Sequence, residues 1–321
     1  MGLPVRQPHF AIPERNASFM KKSDSGYLFV YFTGETENGE QVYFSVSRDG
    51  LHWDDLNHGK PVLCSMLGEK GVRDPFILRS KLDGTYYLMA TDLRIASGTS
   101  WETARSRGSK KIILWSSPDL IHWSAPWSYD VPLEGAGCVW APEACFDAER
   151  SEYLVFWSSR TQEAFESRPQ FKIYCAYTKD FLSYSPPEKY IERERIVIDL
   201  TIIQDGPLYY RFIKDELTGG IIGDFGTELM GTFSSVPSDS LRQVVGVEGP
   251  LAFRLPDGKA WCLMVDRFKE HLGYLPLVCQ DLHKAEFIPA HDYCLGTKQK
   301  RHGSVLPIPE EDYANLLMAY R

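Results

Sequence analysis

Residues 72–78, with the sequence VRDPFIL, contain the pattern that decides the fold. A charged residue and a proline lead into a short apolar run with a β-branched side chain. Because proline lacks a backbone N–H, it is tolerated at the first residue of a strand and not in its middle. We therefore predict a strand that begins at Pro75, with Asp74 held at its N-terminal end.

Similar segments recur four more times along the chain. Each has an ionisable residue at or near the start of a short apolar segment, and these residues are Asp74, Glu143, Asp199, Glu248 and His302. The copies are separated by roughly 50–70 residues, an interval typical of arrays of repeated supersecondary units. The structural alternative is that these residues are only turn residues and strand-end caps.

Between these copies lie apolar, aromatic-rich segments with the composition of middle strands. They span residues 27–32, 40–46, 86–90, 112–115, 153–157, 171–176, 208–213 and 260–265. We assign the outermost strand of each unit to an aspartate-containing turn that leads into a short strand, at residues 47–53, 117–123, 178–184 and 279–284. The unit that contains Asp199 has no clear outer strand. Four strands per unit is the pattern of a β-propeller blade.

The two ends of the sequence complete the count of blades. The first unit, residues 26–57, lacks an inner strand, whereas the last copy, at His302, is followed only by a helix start near Pro309. Joining the two halves gives a fifth blade and removes an exposed sheet edge. We therefore predict an all-β fold, a five-bladed β-propeller with one blade closed by strands from both termini, as a single domain over residues 1–321.

Composition limits the partners. The chain has 321 residues, of which 43% are apolar, 13% aromatic and 24% charged, and its net charge is −8. The negative charge argues against nucleic acid or an anionic membrane as a partner, and no apolar run is long enough to span a bilayer. Seven cysteines without paired spacing argue against a zinc or redox site. Residues 1–25 predict a polar surface strap without a signal-peptide pattern, so we expect a cytoplasmic protein.

A propeller fold would bring the repeated ionisable residues together. The inner strands of a propeller surround the axis, and their starting ends gather around one mouth. The three carboxylates Asp74, Asp199 and Glu248 would converge there with Glu143 and His302. Because clustered carboxylates repel one another, their presence at one mouth indicates a function.

Five ordered motifs resemble those of glycoside hydrolase family 43 over nearly the whole chain: RDP at 73–75, WAPE at 140–143, ID at 198–199, EGP at 248–250 and HGS at 302–304. The resemblance implies a five-bladed propeller that hydrolyses arabinofuranosyl, xylosyl and sometimes galactosyl linkages with inversion. It also implies that Asp74 is the general base, Glu248 the general acid and Asp199 the aspartate that tunes the acid and orients the sugar. His302 matches the axial histidine, which in that family often faces a calcium ion or a water cluster.

Two features depart from the family pattern. A partial blade precedes Asp74, although the base motif usually comes close to the N-terminus, and Leu200 follows Asp199 where proline is usual. The first departure agrees with a blade built from both termini. Together they predict a less typical branch of the family.

The chemistry of inversion sets further expectations. One carboxylic acid protonates the leaving oxygen, and a carboxylate roughly 6.5–9.5 Å away activates water on the other face of the sugar. Glu248 would need a raised pKa, which repulsion from Asp199 would supply. Asp74 should stay ionised, with help from Arg73 if that side chain points inward.

Five residues near the predicted mouth are candidates for substrate binding: Arg73, Asp92, Trp140, Glu143 and Arg267. Trp140 would form a sugar-stacking wall or pack between blades, and Trp101 lies in a polar loop that would shape the rim. We expect no organic cofactor. An ion in the central channel near His302 would be a water-coordinated Ca²⁺ rather than zinc, because the sequence has no Cys/His cluster.

The function predicted from these observations is an inverting hydrolase that removes α-L-arabinofuranosyl or β-D-xylosyl residues from plant cell-wall oligosaccharides such as arabinoxylan fragments. A β-galactofuranosidase, a retaining fructan hydrolase, a mannoside phosphorylase and a non-catalytic carbohydrate-binding propeller are the alternatives. The Asn-Asp-Pro-Asn start of the fructan enzymes has no counterpart here. A module that only binds sugar needs no acid–base pair.

Overall fold

The computed structural model describes residues 24–193, 196–256 and 258–321. The predicted N-terminal strap therefore lies almost entirely outside the described residues. Within them, twenty strands form five four-stranded antiparallel sheets. Each sheet contacts its neighbours through its inner strand, and the inner strands follow one another in a ring. The predicted five-bladed propeller is confirmed.

We name four blades after the ionisable residue on the inner strand and call the fifth the closing blade. The closing blade contains β1 (Asp24–Phe32), β2 (Tyr43–Ser47) and β3 (Trp53–Asp55). The Asp74 blade contains β4 (Val72–Arg79), β5 (Tyr86–Asp92), β6 (Lys111–Ser117) and β7 (Trp127–Asp130). The Glu143 blade contains β8 (Trp140–Asp147), β9 (Glu152–Thr161), β10 (Gln170–Thr178) and β11 (Glu188–Ile191).

The remaining blades follow in chain order. The Asp199 blade contains β12 (Val197–Asp205), β13 (Leu208–Asp215), β14 (Gly220–Gly226) and β15 (Ser234–Val236). The Glu248 blade contains β16 (Glu248–Arg254), β17 (Trp261–Asp266), β18 (Tyr274–Cys279) and β19 (Ile288–Pro289). The closing blade is completed by β20 (Arg301–Pro309). Three helices lie outside the sheets: α1 (Trp101–Arg107), α2 (Asp239–Arg242) and α3 (Glu310–Tyr320).

The closing blade joins the two ends of the described chain. β20 pairs antiparallel with β1, and Phe29 lies opposite Val305 in the register. This pairing confirms the prediction that residues 305–308 lie beside residues 27–32. α3 begins directly after Pro309, as predicted, and buries Tyr313 and Leu316 in the core that the closing blade shares with the Asp74 blade.

Large side chains fill the spaces between blades. Met89 and Leu114 of the Asp74 blade, for example, form one core cluster with Val155, Trp157 and Tyr174 of the Glu143 blade. Alternate residues of each middle strand therefore face neighbouring blades, which makes the ring a rigid support for its mouth. No helix in the described ranges is long and apolar enough to cross a membrane.

Each inner strand carries a bulge near its mouth end. The register breaks in β4, β8, β12 and β16 at residues with left-handed backbone, namely Asp74 (φ 51°), Ala141 (φ 48°), Asp199 (φ 53°) and Gly249 (φ 52°). In β20 the break falls at His302. A bulge leaves one residue unpaired and redirects its side chain, so the five positions present their side chains differently from the rest of the strand.

The bulges correct two predictions. The strand at Asp74 begins at Val72 rather than at Pro75, because Pro75 sits in the bulge, where no ladder hydrogen bond is required of it. Glu143 is not the counterpart of Asp74. Ala141 occupies that position, and Glu143 lies two residues further along β8, deeper in the channel.

Candidate active site

Two aspartates and a histidine from three inner strands meet at the mouth. Nδ1 of His302 lies 3.4 Å from Oδ1 of Asp74 and 3.8 Å from Oδ2 of Asp199. All three side chains are largely buried. The convergence predicted from the repeated motifs is therefore present, and it depends on the bulges that turn these side chains toward the axis.

Hydrogen bonds fix the orientation of Asp74. Thr91, on the neighbouring strand β5, donates its hydroxyl proton to Oδ2 of Asp74 at 2.8 Å. The same hydroxyl oxygen accepts from the backbone N–H of Ala141 at 2.8 Å, which ties the Asp74 blade to the bulge of the next blade. Left-handed backbone costs a non-glycine residue of the order of 1–3 kcal/mol, and such strain clusters at functional sites.

Asp199 is held from both sides. Its backbone N–H donates to Oγ of Ser158, and its Oδ2 accepts from the backbone N–H of Gly249 at 3.1 Å. Burial raises the pKa of Asp199 to about 6, and the negative charges of Glu248 and Asp74 contribute to the increase. The positive charges nearby only partly oppose it. Asp199 therefore changes its protonation state just below neutral pH.

Glu248 has a cation on each carboxylate oxygen. Lys214 of β13 donates to Oε2 at 3.0 Å, and Arg301 of β20 donates to Oε1 at 3.0 Å. Burial raises the pKa of Glu248, but these two cations outweigh burial and hold the pKa below its ordinary value. The expectation that the pKa of Glu248 is raised is therefore wrong for the protein without substrate, because a sequence motif does not show the cations that the fold brings to it.

Asp266 supports this arrangement from behind. Its Oδ2 accepts from Nε of Arg301 at 2.6 Å and from the backbone N–H of His302 at 3.3 Å. Its Oδ1 is buried and has no hydrogen-bond partner among the described residues. Burial raises the pKa of Asp266 to about 6, although Arg301 opposes the shift. Asp266 thus aims Arg301 at Glu248.

Sequence reasoning missed Lys214, Arg301, Asp266 and Thr91 as parts of the site. Arg301 directly precedes His302 of the HGS motif, and this position next to a predicted site residue could have identified it. Lys214 and Asp266 lie at the mouth ends of the middle strands β13 and β17. A search of the sequence for charged residues at the ends of apolar middle strands could have identified both residues.

Glu143 lies in the channel beneath this cluster. Its side chain is buried, hydrogen-bonds to Thr201 and lies close enough to Asp199 for the two negative charges to oppose each other. Burial raises the pKa of Glu143 well above its ordinary value, with the charge of Asp199 adding to the increase. The environment of Glu143 therefore favours its protonated form over the carboxylate.

Arg73 and Trp140 line the rim of the mouth. Arg73 is buried and donates to Glu35 at 2.7 Å and to Glu40 at 3.0 Å, and its guanidinium lies 5.0 Å from the centre of the Trp101 ring. Trp140 contacts the Trp101 ring at 6.1 Å between centroids. Trp140 therefore packs against Trp101, and its role as a sugar-stacking wall stays a prediction.

The structure does not bring Asp92 or Arg267 to the carboxylates. Asp92 is buried and accepts from the backbone N–H of Glu69 at 2.8 Å and from the hydroxyl of Ser109 at 2.6 Å. Nε of Arg267 donates to the backbone carbonyl of Gly273 at 3.2 Å within its own blade. Both side chains hold loops on the mouth face.

The residues around His302 do not form a set of metal ligands. In the part of the chain that the structure describes, no group of three or more His, Cys, Asp or Glu side chains surrounds a common point suited to an ion. Asp74 and Asp199 instead approach His302 directly. Calcium prefers six to eight oxygen ligands, so a calcium ion here would take most of its ligands from water, and that ion stays a prediction.

A family model described as a probable glycosyl hydrolase domain, related to glycoside hydrolase family 43, matches residues 23–314. The chain belongs to this glycoside hydrolase family 43-related group. The family resemblance predicted from the five motifs is confirmed, and the match covers all five blades.

A curated relative adds detail to the family assignment. The chain is 31% identical over 222 residues to an α-L-arabinofuranosidase of Bifidobacterium longum subsp. longum. The aligned region covers 64% of this chain and 21% of the relative. The chain therefore matches only about a fifth of that enzyme's length.

The solved structures show the fold. A putative exo-β-1,3-galactanase from Bifidobacterium bifidum is 14% identical, with a TM-score of 0.55 over 86% of this chain and 91% of that one. A family 43 β-1,3-galactosidase with galactodeoxynojirimycin is 11% identical, with a TM-score of 0.56 over 85% and 92%. At these identities the family's fold is shared, and the sugar that this chain acts on is a separate question.

Proposed function

We propose that this glycoside hydrolase removes α-L-arabinofuranosyl or β-D-xylosyl residues from oligosaccharides of the arabinoxylan type, with inversion at the anomeric carbon. Asp74 is the general base, Glu248 the general acid, and Asp199 the residue that tunes the acid and orients the sugar. The observation that carries the proposal is the meeting of Asp74, Asp199 and His302 at one mouth, with Glu248 in the adjoining cation cluster.

The positions of the two catalytic carboxylates favour inversion. Asp74 and Glu248 belong to inner strands on either side of the closing blade, so one blade separates them. This arrangement favours the wider separation that admits a water between base and sugar. Asp74 takes a proton from that water while the water oxygen attacks the anomeric carbon, and Glu248 gives its proton to the departing oxygen.

Glu248 must gain a proton before it can act, although Lys214 and Arg301 lower its pKa. Nζ of Lys214 lies 3.0 Å from Glu248 and 2.8 Å from Glu216. Weakening of either ion pair by a bound sugar would raise the pKa of Glu248, because the two cations are what lower it.

The choice of sugar rests on the curated relative. The similarity to the arabinofuranosidase of Bifidobacterium longum, which spans about a fifth of that enzyme, supports an arabinofuranosyl substrate. The rim also suits a neutral sugar, because Arg73 is already paired with Glu35 and Glu40 and offers no free cation for an acidic one. Xylosyl and galactofuranosyl groups belong in the same substrate panel.

The test combines a substrate panel with two variants. Purified protein is assayed on p-nitrophenyl α-L-arabinofuranoside, β-D-xyloside and β-D-galactofuranoside and on arabinoxylan oligosaccharides, and NMR identifies the first-formed anomer. Asp74→Ala should slow every substrate by about 10²–10⁴. Glu248→Ala should spare aryl glycosides with good leaving groups relative to oligosaccharides, because a good leaving group needs little protonation. Glu149→Ala, on an exposed turn far from the mouth, is the matched control.

Three outcomes would overturn the proposal. A first product that keeps its anomeric configuration indicates a retaining enzyme. Turnover that requires phosphate indicates a phosphorylase, and binding without turnover of any member of the panel indicates a carbohydrate-binding propeller. If Asp199→Ala rather than Glu248→Ala produces the dependence on leaving group, Asp199 is the proton donor.

A further inference from the structure

A groove lies on the mouth face beside the carboxylate cluster. It encloses about 460 Å³ between the loop that joins β9 to β10 and the segment that follows β11, and its lining includes Phe165, Gln170, Phe171 and Glu192. That volume falls within the range of ligand sites, roughly 300–1,000 Å³. None of the catalytic carboxylates contributes to its lining, so the groove is a separate feature of the mouth face.

Aromatic rings connect the groove to the active site. Phe171, in the groove, lies 5.3 Å from Trp140 between ring centroids at an angle of 33°. Trp140 immediately precedes the bulge residue Ala141, whose N–H is bonded to the threonine that holds Asp74. Phe165, on the other side of the groove, is 81% exposed. Aromatic side chains therefore lie both at the mouth and in the groove of the Glu143 blade.

The charges in the groove indicate a neutral ligand. Lys172 in its lining is buried. Its Nζ forms an ion pair with Glu166 at 2.8 Å and lies 3.9 Å from a carboxylate oxygen of Glu192. Arg193 is paired with Asp224. Because both cations are already neutralised, the groove has little attraction for a phosphate or a uronic acid. The side chains of Gln170 and Ser167 supply donors and acceptors for hydroxyl groups.

We propose that this groove binds the part of an oligosaccharide that lies beyond the cleaved bond, with sugar rings stacked on Phe171 and Phe165. The inference rests on the proposed hydrolase activity, because the groove would hold the leaving-group side of the same substrate. An aromatic face packs against the C–H face of a sugar while nearby polar groups bind its hydroxyls. Chains of several sugars should therefore bind better than single sugars carrying a small aryl group.

The test measures binding and turnover separately. Arabinohexaose, xylohexaose and β-1,3-galactohexaose are titrated by calorimetry into the slowed Asp74→Ala protein, with and without Phe165→Ala or Phe171→Ala, and turnover is measured with the same Phe variants of the otherwise wild-type protein. We expect each substitution to weaken binding of the preferred hexaose by about five- to tenfold. Aryl glycosides, which do not reach the groove, should keep their KM within about twofold.

Leu182→Ala is the matched control. Leu182 is 69% exposed and lies on the turn between β10 and β11, at the opposite end of the same blade. Because Phe165 is also exposed, its replacement should fold normally even if Phe171→Ala does not.

The two proposals fail differently. If the Asp74→Ala protein binds none of the hexaoses, or if Phe165→Ala leaves both binding and the oligosaccharide KM unchanged, the groove proposal is wrong. If hexaoses bind through Phe165 but no glycoside is hydrolysed, the hydrolase proposal is wrong, whereas the groove still binds glycan.

Discussion

Lys214 lies between the carboxylates of Glu216 and Glu248. Its positive charge favours the ionised form of Glu248. Burial lowers the pKa of Lys214, but the negative charges of Glu248, Asp199 and Glu216 raise it above its ordinary value, so the ammonium stays charged. This fixed charge keeps Glu248 ionised. Because the pKa of Glu248 is lowered, the pair stabilises the fold above the unfolded-state pKa of about 4.3 and loses that contribution as pH falls.

Replacement of Lys214 by methionine should therefore change the pH profile. We expect Lys214→Met to raise the pKa of Glu248 and to move the descending limb of the kcat/KM profile to higher pH by about one unit or more. The measurement is kcat/KM on an arabinoxylan oligosaccharide from pH 4 to pH 9. Glu216→Gln is the control, since it leaves the Lys214–Glu248 pair in place and should not move the limb upward. An unchanged limb in Lys214→Met would show that another group titrates there.

The site could be predicted from sequence only where the residues fall in a repeated motif. Asp74, Asp199 and His302 were found because each occupies the same place in a copy of one pattern, and the structure brings them together. Glu143 lies two residues beyond the predicted mouth position, because the motif does not show where the bulge falls. Lys214 reaches Glu248 across a blade boundary, and contacts of that kind depend on how neighbouring blades pack rather than on a local sequence pattern.

The helix α3 packs against the closing blade and buries apolar side chains in the core there. Leu316 is fully buried in the core that joins the closing and Asp74 blades, whereas Met318 on the same helix is 76% exposed. Leu316→Ala should lower the free energy of unfolding by about 2–5 kcal/mol, because it leaves a cavity where the blades meet. Met318→Ala should change it by less than about 0.5 kcal/mol.

Urea unfolding followed by tryptophan fluorescence measures both values. Equal effects of the two substitutions would show that α3 is not packed against the ring. Because Tyr313 also packs there, Tyr313→Ala should agree in direction with Leu316→Ala.

Strands were predictable where their residues are strongly β-forming. The predicted middle strands match β1, β2, β5, β6, β9, β10, β13 and β17 in position. β14 was missed because glycine occupies three of its seven positions, and β18 contains a proline. The aspartate turn led directly to β3 at Trp53, but β7 and β11 begin several residues later, and β15 was not predicted at all.

The central channel belongs to the whole molecule, because all five inner strands surround it. Glu143 is buried there with a raised pKa, so the folded protein keeps its proton at a pH where the unfolded chain has lost it. The contribution of this pKa difference to the free energy of unfolding is fully present at a pH below the unfolded-state pKa of about 4.3. It is lost as the pH rises toward the folded-state pKa.

Glu143→Gln should remove this pH dependence. We expect the Tm at pH 8 to rise by about 2 °C or more, and the Tm at pH 4 to change little, because the wild-type acid is neutral there. Thermal unfolding from pH 4 to pH 8 measures the difference. Glu149→Gln, on an exposed turn of the same blade, should leave the curve unchanged, and a lower Tm for Glu143→Gln at pH 8 would mean that Glu143 is ionised in the fold.

The pairing of β1 with β20 sets the order in which the protein can be completed as it is synthesised. Among the strands of the described residues, β1 is synthesised first and its partner β20 last. Until then β1 keeps an unpaired edge, which is a template for association with other chains. β20 also carries Arg301 and His302, so the active site forms only when the ring closes. A nascent chain that stops before β20 therefore lacks two residues of the candidate site and exposes one edge of β1.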